Sequence, residues 1–272
     1  MRTGKLLGIS ILFAGLAFLA SAQAQEGVPE HTKLAVEALA SAQTVEILPG
    51  LSLTSARASD GVRLHVWRFS PRLFRLDVVQ QEEPDGERVN LLGERAGAVL
   101  AVNGGFFGER EPGKGLFPVG LLRIGGKDRS KAWASEGGYL IPGDAETDIP
   151  ALLPSRLRPP QGASTVLQSK PMLIEPGGVW AMNTNSHLPR PRTLVCALQG
   201  SETLIAVISG VGLSLFEAGW LLRAPEAGGL FGCDSALAMD GGGSTQMWVE
   251  GHPDLTVDGE TPVQNALVLI PR

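Results

Sequence analysis

The stretch GVRLHVWRFSPRLFRLDVV, residues 61–79 of a 272-residue chain, decides the fold class. In its first half Val62, Leu64 and Val66 alternate with Arg63 and His65, the period of two that sends successive side chains to opposite faces of a strand. Ser70-Pro71 interrupts the run and LFRLDVV resumes it. This predicts two antiparallel strands joined by a tight turn. Outward from it, AVLAV (98–102) is a short, continuously apolar segment of buried-strand type that runs directly into Asn103. VGLLRI (119–124) and GGYLI (137–141) read as strands around the turn-rich GGKDRSKAWASE, and VLQSKPMLI (166–174) is a further apolar segment. TLVCAL (193–198) and TLIAVIS (203–209) read as a strand pair turned at Gln199-Gly200-Ser201-Glu202. SALAM (235–239), QMWVE (246–250) and NALVLI (265–270) complete the set. Helical spacing is confined to Glu30–Gln43 and to a segment around Leu213–Leu222. Gln81–Arg88 reads as a surface loop and Pro142–Pro160, rich in Pro and Asp, as a long connection. Many strands and few helices predict a single α+β domain with a mixed or antiparallel sheet and no internal repeat.

The first residues carry Arg2 and Lys5, an apolar run from Leu6 to Leu19, and small residues ending in Ala22 or Ala24. That is the layout of a secretory signal peptide, and the apolar run is shorter than the roughly 20 residues a membrane-spanning helix needs. A signal peptide at 1–24, an N-terminal extension at 25–60 and a main domain at 61–272 are expected. The mature protein is expected to be periplasmic or secreted, with no stable membrane anchor after cleavage. With 23 basic and 28 acidic residues the net charge is −5, and losing Arg2 and Lys5 takes it to about −7. Nucleic acid is therefore not an expected partner, because such proteins need a basic footprint. A composition 43% hydrophobic with 35 glycines describes a loop-rich globule. Cys196 and Cys233 are too few and too far apart for a usual zinc site; in an oxidising compartment they could pair, or remain two buried thiols.

The sharpest chemical feature is SALAMDGGGSTQM, where a buried strand ends at Asp240 and Gly241, Gly242 and Gly243 precede Ser244 and Thr245. Glycines let successive N–H groups converge on an anion, and the two hydroxyls add donors, so this is a candidate phosphate cradle. The competing reading is a turn before a strand, with Asp240 bonding its own backbone. No Lys follows the glycines as a P-loop requires, and GGGST is not a nucleophile elbow. His31, His65, His187 and His252 form no catalytic pattern. In VNGGFFG, Asn103 can hydrogen-bond hydroxyls and Phe106 can stack on a sugar ring, while Phe107 reads as core. Arg190-Pro191-Arg192-Thr193 could supply a guanidinium that grips phosphate in bidentate fashion.

Taken in order, VNGGFFG, VGLLRIGGK, LQSKPMLI, RPRTLVCAL, CDSALAMDGGGSTQMW and NALVLI resemble the phosphodiester glycosidase domain family, over roughly Gly61 to the C-terminus. The resemblance implies a hydrolase that cleaves the bond between a sugar's anomeric carbon and a phosphate, with a glycan or sugar phosphate as substrate. No cofactor or metal is expected, the alternative being a metal ion held by Asp240. The resemblance places Asp240, Arg192, Asn103, Gly241, Gly242, Gly243 and Ser244 at the site; of these Asp240 and Arg192 are expected to be catalytic, and the others, with Gly104, Phe106, Gln168 and Thr245, to bind substrate. Arg192, the glycine backbone and Ser244 would stabilise the departing phosphate. Asp240 would act at the anomeric centre as nucleophile or as base for water, with Glu136 or Asp234 as a possible second carboxylate. Two departures stand out: Lys170 occupies the Gly position of the family's Q-S-G-P motif, and Ala238-Met239 replace the usual Asn-Leu. Lys170 either intrudes on the pocket or adds a positive charge. The alternatives are a non-catalytic polysaccharide-binding module and a phosphodiesterase that splits P–O bonds.

Overall fold

The structure, a computed structural model, describes residues 27–111, 114–133, 136–143, 149–159, 161–185 and 188–272. The expected signal peptide and His187 lie outside these residues. From the N-terminus run α1 (Glu30–Ala40), β1 (Thr44–Leu48), β2 (Leu51–Arg57), β3 (Val62–Phe69), β4 (Phe74–Gln80), α2 (Val89–Ala96) and β5 (Leu100–Asn103). Next come β6 (Phe107–Glu109), β7 (Leu116–Pro118), β8 (Leu122–Ile124), β9 (Lys127–Asp128), β10 (Gly138–Ile141), β11 (Ala151–Pro154), β12 (Val166–Ser169), β13 (Met172–Glu175) and β14 (Val179–Trp180). The chain ends with β15 (Arg190–Leu198), β16 (Thr203–Leu213), α3 (Leu215–Leu222), β17 (Cys233–Ala238), β18 (Met247–Val249) and β19 (Asn265–Pro271).

An eight-stranded sheet in the order β1-β2-β3-β16-β15-β17-β13-β14 faces a four-stranded sheet, β18-β5-β19-β4, and a five-stranded one, β11-β10-β12-β8-β9. Each pairing within these sheets is antiparallel. The main core fills the space between them. Trp67, Phe69, Val195, Ile205 and Leu237 meet Leu76, Val78, Val102, Met247 and Leu267 there, and the Trp67 Nε1–H donates to Met247 Sδ at 3.1 Å. On the outer face of the large sheet, Val62, Leu64, Val66, Leu194 and Ala206 pack beneath α1 and α3. On the outer face of the four-stranded sheet, Ala101, Ala266 and Val268 pack under α2 through Val89 and Leu92. The fold is thus an α+β sandwich of four layers: helix, sheet, sheet, helix.

Alternation predicted β3 and β4 correctly as strands, but not as a hairpin. They belong to different sheets: β3 pairs with β2 and β16, and β4 pairs with β19. Period two fixes which faces are apolar and says nothing about the neighbour. The turn at Ser70, whose carbonyl accepts from Leu73 N and Phe74 N, carries the chain across the sandwich, so the two strands oppose one another face to face. VLQSKPMLI divides in the same way, into β12 of the five-stranded sheet and β13 of the eight-stranded one. The connection at 142–160 contains β11. TLVCAL and TLIAVIS pair as predicted in β15 and β16. Cys196 and Cys233, left open in the sequence, form a disulfide between β15 and β17, with Cα atoms 5.7 Å apart. Residues 30–57 contribute a helix and two strands of the large sheet.

Candidate active site

At one end of the sandwich the tail of β17 leaves the large sheet and meets the tail of β5 from the smaller one. Met239 N donates to Thr193 O at 2.8 Å, and Asp240 N donates to Gly104 O at 3.0 Å, so the two residues that follow β17 clamp the two sheets together. Asn103 closes the joint. It is 1% exposed; its Nδ2 donates to Asp240 O at 2.7 Å, while its Oδ1 accepts from Thr193 Oγ1 at 2.6 Å and Gln246 N at 3.2 Å. A methyl group at Gly104 would lie 2.1 Å from Asn265 Oδ1, the atom that accepts from Gly105 N, so glycine is required by close approach.

A cleft of about 220 Å³ opens at this joint, lined by Phe106, Lys170, Arg190, Arg192 and Leu215, with Met239, Asp240 and Gly241–Gly243 as its floor. Four of the five stretches that supply it lie at strand ends: β5 before Phe106, β12 before Lys170, β15 at the arginines and β17 before Met239 and Asp240; the fifth, Leu215, opens α3. The arginines are set by a bulge. Between the pairs Arg190–Leu213 and Arg192–Ile208 the longer strand carries extra residues, including Gly210 and Gly212 at positive φ, and this re-aims the start of β15. Arg192 is then held by its own donors, Nε–H to Leu213 O and an Nη–H to Leu188 O, both at 3.0 Å. Neither Arg190 nor Arg192 has a carboxylate within 4.0 Å among the described residues. Burial, with Arg190 nearby, draws the proton affinity of Arg192 below the usual guanidinium range.

Asp240 is the one carboxylate lining the cleft. Burial pushes its pKa above the ordinary 3.8, opposed by hydrogen bonds from Ser244 and from Gly241 N, the latter at 2.8 Å from Oδ1. The N–H groups of Gly242 and Gly243, which open a single 3₁₀ turn to Ser244, have no acceptor among the described residues. An anion in the cleft would thus find a guanidinium and two backbone donors beside a carboxylate with raised proton affinity.

Of the residues expected from sequence, Phe106, Arg192, Asp240 and Gly241–Gly243 line the cleft; Asn103, Gly104, Gln168, Ser244 and Thr245 stand behind it. Gln168 is fully buried. Its Oε1 accepts from Leu121 N and Trp133 N at 3.0 and 2.8 Å, and its Nε2 donates to Trp133 O and Glu136 O. In this way it fixes the loop whose Trp133 ring lies 5.8 Å from that of Phe106. Thr245 Oγ1 is buried and has no hydrogen-bond partner among the described residues. Asp234 sits at the start of β17, six residues from Asp240 along an extended strand and so roughly 20 Å away. Glu136 pairs with Lys170 Nζ at 2.7 Å. Trp133 and Glu260 were not anticipated. Glu260 lies against Gly243, where a methyl group would come within 2.8 Å of its Oε2, and nothing in the surrounding VDGETPV announces it. His31 pairs with Asp60 and His65 with Ser55, away from the cleft. Among the described residues no three His, Cys, Asp or Glu side chains gather into a group able to hold a metal ion, and no helix is long and apolar enough to cross a membrane.

The fold and cleft define a four-layer antiparallel sandwich that presents a desolvated carboxylate, an arginine with no carboxylate partner among the described residues and a glycine turn at the strand ends. The sequence model of the phosphodiester glycosidase family matches residues 96–270, and the chain belongs to that family. No curated protein matches the sequence. Among solved structures, a hypothetical protein from Synechocystis superposes with a TM-score of 0.60 at 14% identity, over 85% of this chain and 64% of that one. The chain therefore spans just under two thirds of that relative's length. The catalytic domain of zebrafish N-acetylglucosamine-1-phosphodiester alpha-N-acetylglucosaminidase, auto-inhibited by its pro-peptide, gives 0.59 at 14% identity over 85% and 87%. An exported-protein candidate from Burkholderia pseudomallei gives 0.61 at 14% over 78% and 74%. At these identities the superpositions speak to the fold.

Proposed function

We propose that this protein is an exported hydrolase that cleaves the bond between a sugar's anomeric carbon and a phosphodiester phosphate, on an envelope or extracellular glycan. The observation that carries this reading is that one cleft is lined by a buried carboxylate, Asp240, by the Gly241–Gly243 turn and by a guanidinium, Arg192, with no carboxylate within 4.0 Å among the described residues, in a chain of the phosphodiester glycosidase family. Arg192 and the Gly242 and Gly243 N–H groups hold the phosphate and stabilise the charge that grows on it as it departs. A phosphate leaves without an acid's help, so one carboxylate suffices. Asp240 takes a proton from the attacking water while the water oxygen bonds to the anomeric carbon; the bond from that carbon to the phosphate oxygen breaks, and its electron pair stays on the departing phosphate oxygen. A raised proton affinity suits that base. Ser244 and Asn103 keep Asp240 in place, and Phe106 offers a face for the sugar ring. Export is supported by the N-terminal Arg2/Lys5, apolar and Ala-x-Ala pattern and by the Cys196–Cys233 disulfide, a bond that persists in oxidising compartments.

The test is release of free sugar from a panel of synthetic sugar-1-phosphate diesters by the mature protein and by Asp240→Asn, run in water enriched in heavy oxygen. The proposal expects label in the sugar with wild type and at least about a hundredfold loss with the variant. Label in the phosphate would replace it with P–O cleavage; binding without turnover would replace it with a polysaccharide-binding module.

A further inference from the structure

The cleft is lined by three cations, Lys170, Arg190 and Arg192, against one carboxylate, Asp240. A phosphodiester carries a single negative charge. The surplus is local, since the chain as a whole is net negative at −5, so it is not a by-product of a basic protein. Lys170 is the cation with a second attachment. Its ammonium pairs with Glu136 at 2.7 Å and lies 4.8 Å above the Trp133 ring, and the chain makes room for it: Gly137, at φ +71, would place a methyl group 2.6 Å from Lys170 Cβ. Both ends of the Lys170–Glu136 pair are exposed, 43% and 63%, and a solvated pair of this kind is weak and exchangeable. Gln168 holds the backbone of both Trp133 and Glu136, so the residue that carries the ammonium's partner is anchored beside the cleft that Lys170 lines. Glu260, against Gly243, is the other nearby acid, and it does not line the cleft.

We infer that Lys170 is a specificity-determining residue that reads a second negative charge beyond the phosphate, so that this protein prefers glycosyl phosphodiesters whose aglycone is itself anionic, with Glu136 as the competing internal anion. The inference rests on the cleft being the phosphate site proposed above. Its test avoids the sugar and turnover altogether. Binding of two sugar-free probes, a dialkyl phosphate and the same compound with a terminal carboxylate, is measured by calorimetry at low salt with the full mature protein. Wild type should bind the dianion roughly tenfold more tightly than the monoanion, a hydrogen bond to a charged group being reduced here by exposure. Lys170→Gln should abolish that preference while changing monoanion binding less than about threefold, and added salt should erode it. Glu136→Gln should shift the preference the other way, by roughly twofold to threefold, because it removes the competitor. A merely structural Lys170 would not give opposite signs for the two partners of one ion pair. A preference unchanged in Lys170→Gln, an equal loss for both probes, or no binding of either probe overturns the inference. A preserved charge preference in a protein that releases no sugar supports it and counts against the hydrolase reading alone.

Discussion

Asp240 shows how one side chain can be costly to the fold and necessary to the site. Its carboxylate is desolvated at the end of β17, and its proton affinity lies above the ordinary carboxylate value of 3.8. The unfolded chain gives up this proton more readily than the native one, so the native state loses stability as pH rises from 3.8 through the raised value, and above it the whole cost is present. Asp240→Asn should therefore raise the melting temperature at neutral pH, by about 2–4 °C, while activity is lost; scanning calorimetry checks the first half. The acid limb of kcat/KM against pH should sit above the usual carboxylate range for the same reason. Asn103 is the opposite case. Asn103→Ala strands three hydrogen-bonding groups at the joint between the sheets, which should cost about 3 kcal/mol in denaturant unfolding and lower kcat through the released Asp240 backbone. The sequence announced Asp240 because glycines and hydroxyls cluster around it. It offered Asn103 as a residue that binds substrate hydroxyls and gave no sign of the joint it closes, because that role depends on Thr193 and Gln246, 90 and 143 residues away.

Strands were legible one at a time, and their neighbours were not. Period-two alternation located β3 and β4, and short apolar runs located β15, β16 and β19, yet β3 and β4 lie in separate sheets because a four-residue turn can fold a chain across a sandwich as readily as beside itself. Helix α2 escaped notice since its eight residues show only Val89, Leu92 and Gly93 buried, too few for a clear helical period. The bulge of β16 is another element invisible in sequence, although Gly210 and Gly212 are its signature once seen. A methyl group on Gly212 would fall 2.0 Å from the Arg190 carbonyl, at φ +73. Gly212→Ala should destabilise by roughly 3 kcal/mol and should weaken phosphate binding by displacing the arginines, effects separable by urea titration and by calorimetry with a dialkyl phosphate.

The molecule as a whole is an eight-stranded sheet and two smaller sheets that share one core, and residues 30–57 contribute α1 and two strands of the large sheet. Removing residues 27–60 would uncover β3 and the face that Ala35 and Leu39 protect, and the truncated protein should fail to give a cooperative unfolding transition. The family match, by contrast, covers 96–270, which holds every cleft-lining residue. The disulfide acts at this scale too. Closing a segment of 37 residues, it should contribute about 3–4 kcal/mol, measurable as the loss in a Cys196→Ala/Cys233→Ala variant. It joins the two strands that carry the cleft's opposed charges: Arg192 lies four residues before Cys196 on β15, and Asp240 seven residues after Cys233 on the run out of β17. Antiparallel strands can slip by two residues and keep their pleat, a displacement of about 6.6 Å that would carry guanidinium and carboxylate out of reach of one substrate. The sulfur bridge works as an alignment pin set once, when the chain is oxidised, so that the spacing of the two groups is fixed by chemistry at the far end of the strands and the cleft itself is left open to its ligand.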